Sequence, residues 1–235
     1  MKNFSSAAKV YILSTILIGL GLVVWMGGKV EWANAGLYVL AALGAAARIL
    51  KVEGPNDRTN YSLAWFVYGF AFITYGAGAA MLVMVISILA EWAWHKYPWY
   101  IQAFNIGNHV IAIYLAGLVF DLINKGMKVL DLTGAIAMAA AILVFVIANH
   151  FLVGMVVKLA RGQSFAESGV FGFLTLFLDF ILLAMGAVTA LVWFSNPAAS
   201  LLNILPLYLL YNALRVPALK RQLEDMKKLP GKIPA

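Results

Sequence analysis

Hydrophobic positions in this chain come in long unbroken runs, with short polar stretches between them and no strand-like alternation. A membrane-spanning helix needs roughly 20 apolar residues, with about 17–25 tolerated. Runs at 8–27, 34–50, 98–122, 131–158, 165–194 and 200–214 each predict a helix. The stretch 61–94 carries no charge before Glu91. As a single helix it would be about 51 Å long, against a bilayer core of about 30 Å. Gly76-Ala77-Gly78 offers a break, so the pattern predicts two shorter helices, 61–75 and 79–94. The punctuation fits these limits. VEGPNDRTN (52–60) has turn chemistry, Pro98 suits a first helical turn, and Asp131 can cap the helix after it. Ser164 and Glu167 form a capping-box pattern opening 165–194. The expected fold is therefore an all-α, polytopic membrane bundle of about eight helices over residues 1–214. A basic amphipathic tail, 215–235, places Leu219, Leu223 and Met226 on one side among Lys and Arg.

Composition narrows the class. The chain is 63% hydrophobic and 11% charged, with mean hydropathy +0.89, whereas a soluble domain is about half apolar and about a quarter charged. The net charge of +7 lies in loops and the tail, which suits membrane topology and not a nucleic-acid face. With eight helices and both termini inside, only Lys29, Lys125 and Lys128 fall outside, against 14 of the 17 bases inside. Treating 61–94 as one helix reverses everything downstream and leaves 7 inside against 10 outside. The N-terminal run resembles a signal peptide, with Ala33-Asn34-Ala35 in cleavage-site form, but its apolar core is longer than a signal core and reads as the first membrane helix. Cysteine is absent, which excludes disulfides and thiolate chemistry. The expected location is a prokaryotic cytoplasmic membrane.

Candidate chemistry centres on two Asn-His pairs inside apolar runs, Asn108-His109 and Asn149-His150. A polar or titratable group in hydrocarbon reads as functional by default. Counted from the inner face, His109, His150 and Asp179 fall at depths of roughly 16, 12 and 20 Å. Asn105 lies one helical turn before His109. The predicted ligand-binding set is Asn105, Asn108, His109, Asn149, His150 and Asp179, between the helices at 79–194, with a proton-coupled role for Asp179 and the histidines. A second reading makes His109 and His150 the axial ligands of a b-haem in an electron-transfer subunit. A third has these groups only bridging helices in a structural accessory subunit that docks on other membrane proteins. A histidine-only zinc site lacks a clear third ligand. No H-E-x-x-H, G-x-S-x-G or P-loop occurs, and the helix at 165–194 has no lysine for a retinal, so the chain reads as a non-enzyme.

The segment GAGAAMLVMVISIL (76–89), then Pro98-Trp99-Tyr100, Phe104-Asn105, Leu115-Ala116-Gly117 and Asn149, resembles multi-helix membrane sensor modules found upstream of GGDEF or HD-GYP domains. More distantly, it is similar to the S components of energy-coupling-factor transporters, which share a Gly-rich break before an Ala-rich helix. The likeness covers roughly 61–159 and implies a membrane module that binds a small ligand for sensing or uptake. Such sensors continue into a signalling helix and an output domain, whereas these residues hold none. The expectation is therefore a stand-alone binding subunit or an accessory subunit. His109 and His150 lie outside the shared pattern.

Overall fold

The computed structural model describes residues 1, 4–53, 60–126 and 130–227. They form eight α-helices: α1 (Ser6–Gly27), α2 (Ala35–Ile49), α3 (Ala64–His95), α4 (Trp99–Asn124), α5 (Leu132–Arg161), α6 (Phe173–Ser195), the single turn α7 (Pro197–Ser200) and α8 (Ile204–Lys227). A 3-10 turn, Leu201–Asn203, joins the last two. A two-residue antiparallel ladder pairs β1 (Val52–Glu53) with β2 (Asn60–Tyr61). Six helices among the described residues are long and apolar enough to cross a membrane, and α2 is a shorter apolar helix. The chain is a multi-pass, all-helical membrane protein.

The central feature is the interruption of α3. Gly76 has φ 82 and ψ 174, a conformation that only glycine adopts without strain. The chain doubles back there. A Cβ built on Gly44 of α2 would lie 2.5 Å from Ser87 Oγ and 3.5 Å from Tyr68 Cε1, so Tyr68 and Ser87 stand side by side. A straight helix would hold them about 28 Å apart. The break expected at 76–78 is thus a one-residue hinge, and the two arms of α3 lie against each other. The first arm starts at Ala64 instead of residue 61, because Tyr61 pairs with Val52 in the ladder.

Small residues set the packing. A Cβ on Gly107 of α4 would lie 2.5 Å from the Thr15 carbonyl oxygen, so α1 and α4 meet backbone to backbone. Close approach of this kind is how membrane helices associate where the hydrophobic effect gives no drive between them. Tyr11 holds α1 to α5 as well, donating to the Leu152 carbonyl at 3.1 Å. The core lies between these helices and includes Tyr68, Met81, Val83, Met84 and Ile88, which are inaccessible to solvent or nearly so. Outward positions such as Val10, Leu17 and Val24 are exposed hydrophobics, the faces a bilayer would cover.

Two more boundaries differ from expectation. The capping box forms, with Ser164 N–H donating to Glu167 Oε2 at 2.8 Å and Glu167 N–H to Ser164 Oγ at 3.2 Å. The Ser164 N–H and hydroxyl hold the Glu167 carboxyl below its ordinary range. The turn it opens ends at Gly169, with φ 68, and α6 starts only at Phe173 instead of residue 165. At the other end α8 runs on through residue 215 to Lys227, while its apolar span ends at Val216. The rest of the expected tail, 228–235, and the loop centre, 54–59, lie outside the described residues.

Candidate functional site

The six interior residues make three separate contacts. Asn108 on α4 donates its amide to Asn149 Oδ1 on α5 at 2.6 Å, both side chains buried. His109 Nδ1 lies 2.6 Å from the Asn105 carbonyl oxygen. A carbonyl only accepts, so Nδ1 carries the hydrogen and a neutral ring leaves Nε2 as a bare acceptor. That Nε2 is buried without a hydrogen-bond partner, and the ring is stacked on Trp65 at 5.3 Å and 7°. Asn105 turns its amide to Gln102 Oε1 at 3.1 Å. His150 is engaged at both nitrogens, Nδ1 with the Val170 carbonyl at 2.7 Å and Nε2 with Asp179 Oδ2 at 2.9 Å.

The later start of α6 explains that last pair. Asp179 is only about 9 Å along the helix from Phe173, which brings it to the level of His150. The connection 162–172 folds inward to meet it. A Cβ at Gly154 would lie 2.6 Å from the Phe165 ring, so the loop's phenylalanine rests on a helix surface kept flat by glycine. With Nδ1–H given to Val170, a single proton remains between Nε2 and Asp179. The pair is neutral as imidazole with carboxylic acid or as imidazolium with carboxylate, which is what a low-dielectric site favours.

Replacement tests this proton count. Asp179→Asn supplies an amide N–H to the Nε2 lone pair and is expected to change stability by less than about 1 kcal/mol. Asp179→Leu leaves a buried nitrogen unpartnered and is expected to cost about 1–3 kcal/mol in mixed-micelle unfolding. Equal losses for the two variants would contradict the arrangement.

A bis-histidine haem needs an open nitrogen on each ring. His109 offers Nε2, but His150 offers none, so these residues do not fit that group. Among the described residues no group of three or more His, Asp or Glu is placed to hold a metal ion.

None of the six lines the large cavity of this fold. Among the same helices an apolar slot of about 20 Å³ lies between Tyr68, Ile113, Phe145 and Leu183 among others, and none of the six lines it either. A cleft of about 640 Å³ opens instead around the Gly76 hinge. Its walls come from the end of α1, the start of α2, the hinge and the end of α4. Trp25, Phe72, Tyr75, Tyr114 and Phe120 line it, and Lys29, Glu31 and Asp121 are exposed at its mouth. The turn between α1 and α2 is pinned by Trp32 Nε1 donating to the Gly27 carbonyl at 3.1 Å and by Tyr38 hydroxyl donating to the Trp32 carbonyl at 2.9 Å. Asn34 caps α2 by accepting from Gly36 N–H at 2.9 Å.

A second polar cluster escaped the sequence reading. Glu91, 3% exposed, accepts from Arg48 Nε and Lys51 Nζ, each at 2.7 Å, and Lys51 also donates to the Tyr97 hydroxyl at 2.8 Å. The available signal was charge sign: Arg48 lies in the last turn of α2, Glu91 near the end of α3, and the hinge brings those ends to one level.

Comparison with known proteins finds no match: no family model, no curated protein and no solved structure matches this chain.

Proposed function

We propose that this chain is a non-enzymatic membrane module that binds a small ligand, for sensing or for uptake, in the cleft around Gly76. The observation that carries this reading is the cleft itself: about 640 Å³, with aromatic walls and a few charged groups at its mouth. That is the size and make-up of a small-molecule site. The interior set Asn108, Asn149, His150 and Asp179 then acts as support, tying α4, α5 and α6 together beneath the cleft.

In this reading eight segments cross a prokaryotic cytoplasmic membrane, α3 contributing two and α7 none, with both termini inside. Contacts at the two ends support it. Ser5 donates to the Leu159 carbonyl at 3.1 Å, joining the start of α1 to the end of α5. At the opposite end a Cβ on Gly78 would lie 3.4 Å from the Met26 carbonyl oxygen, and one on Gly117 2.9 Å from Ala77 Cβ. The cleft then faces outward, the side from which an external solute arrives. The weak resemblance to sensor modules and S components agrees with this role.

Leu118 lines the cleft and is 47% exposed, so Leu118→Trp is expected to fill the cavity without disturbing the core. Small molecules released from the purified protein would be identified by mass spectrometry. A compound recovered from the parent and at least tenfold depleted in Leu118→Trp supports the reading. It is overturned if nothing is recovered and no compound in a cell extract stabilises the parent more than Leu118→Trp.

A further inference from the structure

The cleft's own chemistry narrows the class of ligand. Lys29 Nζ sits 3.5 Å from the centre of the Trp25 ring, an ammonium seated on an aromatic face. Trp25 is held in place by Tyr114, edge-on at 5.6 Å. Indole is the best natural acceptor for a cation, and the attraction grows as water is excluded. Phe72, Tyr75 and Phe120 add further aromatic wall. The lining charges also depart from the rest of the chain. Bases outnumber acids 17 to 10 overall, yet among the described residues Glu31 and Asp121 line the cleft against Lys29 alone.

We propose that the cleft selects an organic cation, an amine or quaternary ammonium on a small apolar body, whose charged head replaces Lys29 on the face of Trp25. The inference rests on the cleft being a ligand site. Lys29 then acts as a tethered competitor: it occupies the cation position while the site is empty and must swing aside for a ligand. Its exposure and flexible stem allow that movement. The apolar body would lie towards Phe72, and the carboxylates of Glu31 and Asp121 would draw in the charge.

The proposal fixes the sign of one unusual effect. Removing Lys29, the only lining cation among the described residues, should strengthen binding, where an anion site would lose it. The test uses the full chain in nanodiscs of zwitterionic phosphatidylcholine, with benzyltrimethylammonium as probe and neopentylbenzene as its uncharged isostere. Binding is followed by ligand-observed NMR. The cation is expected to bind the parent at least about tenfold more tightly than the isostere. Lys29→Met is expected to tighten it severalfold, Asp121→Asn to weaken it severalfold, and Trp25→Leu to remove most of the difference between the two probes. Trp25 is 51% exposed and Lys29 lies in a turn, so neither change touches the core.

Equal affinity for the two probes overturns the proposal, as does weaker binding in Lys29→Met or no binding of the cation to either protein. In each of those cases a compound depleted by Leu118→Trp would leave the cleft as a binding site for another class of ligand. If that experiment fails as well, both readings fall.

Discussion

Glu91→Ala is expected to destabilise the protein by about 3–5 kcal/mol in mixed-micelle unfolding. The loss comes from what the variant leaves behind. Glu91 answers two cations at once, Arg48 through Oε2 and Lys51 through Oε1, each at 2.7 Å. Its side chain is 4% exposed, and those of Arg48 and Lys51 are 12% and 16% exposed. Without the carboxylate, a guanidinium and an ammonium remain close together in a site that water barely reaches. The double variant Arg48→Met with Glu91→Leu separates lost attraction from stranded charge. It keeps Lys51, whose long stem lets its ammonium reach water. Replacing a buried pair by apolar groups is often nearly neutral, so this variant is expected to recover more than half of the loss. A cost below about 1 kcal/mol for Glu91→Ala would class the cluster with weak surface pairs. The network matters for the cleft as well. It locks α2 to the second arm of α3 at one end, and the other ends of those same segments form cleft wall.

The parts of this fold that are readable in sequence are those governed by length and charge. A run from 61 to 94 is longer than one bilayer crossing needs, and the distribution of bases favours a fold back within it. The Gly76 hinge and the side-by-side placement of Tyr68 and Ser87 agree with that argument. Depth counting gathers the polar groups into one mid-to-inner band but does not pair them: it sets Asp179 about 8 Å deeper than His150, and it is the start of α6 at Phe173 that brings the two to one level.

What stays hidden depends on contacts without a periodic signal. Trp65 is one aromatic among many in its helix, and only tertiary packing stacks it on His109. Arg48 and Glu91 are 43 positions apart. The capping box at Ser164 is a real start signal, but Gly169 stops its helix after one turn, and nothing in the pattern marks Phe173 as the true start. The cleft is assembled from the ends of four elements. None of its aromatics stands out in sequence from the interfacial belt that any membrane protein carries.

Gly186→Val is expected to cost about 3 kcal/mol or more, because it strikes backbone on both sides of a helix crossing. A Cβ at Gly186 of α6 would overlap the Phe66 carbonyl oxygen and lie 2.9 Å from Phe70 N, both in the first arm of α3. The approach is reciprocal, since a Cβ at Gly69 in that arm would overlap the Leu183 carbonyl oxygen. A flexible side chain could swing away from an added methyl group, but helical backbone cannot, so α6 must move as a body. Asp179 lies on the same helix, and its movement would pull the carboxyl group from His150. Gly21→Val gives the matched control. Gly21 has nothing within 4 Å of a built Cβ, and valine is a slightly better helix former than glycine. The same substitution there is expected to be neutral or to stabilise by a few tenths of a kcal/mol. Using valine at both sites cancels helix propensity and leaves packing as the difference. Similar unfolding midpoints for the two variants would mean that α3 and α6 do not meet at these glycines. A large gap, with the hydrogen bond between His150 and Asp179 broken only in Gly186→Val, would show that the close crossing holds the buried proton pair in register.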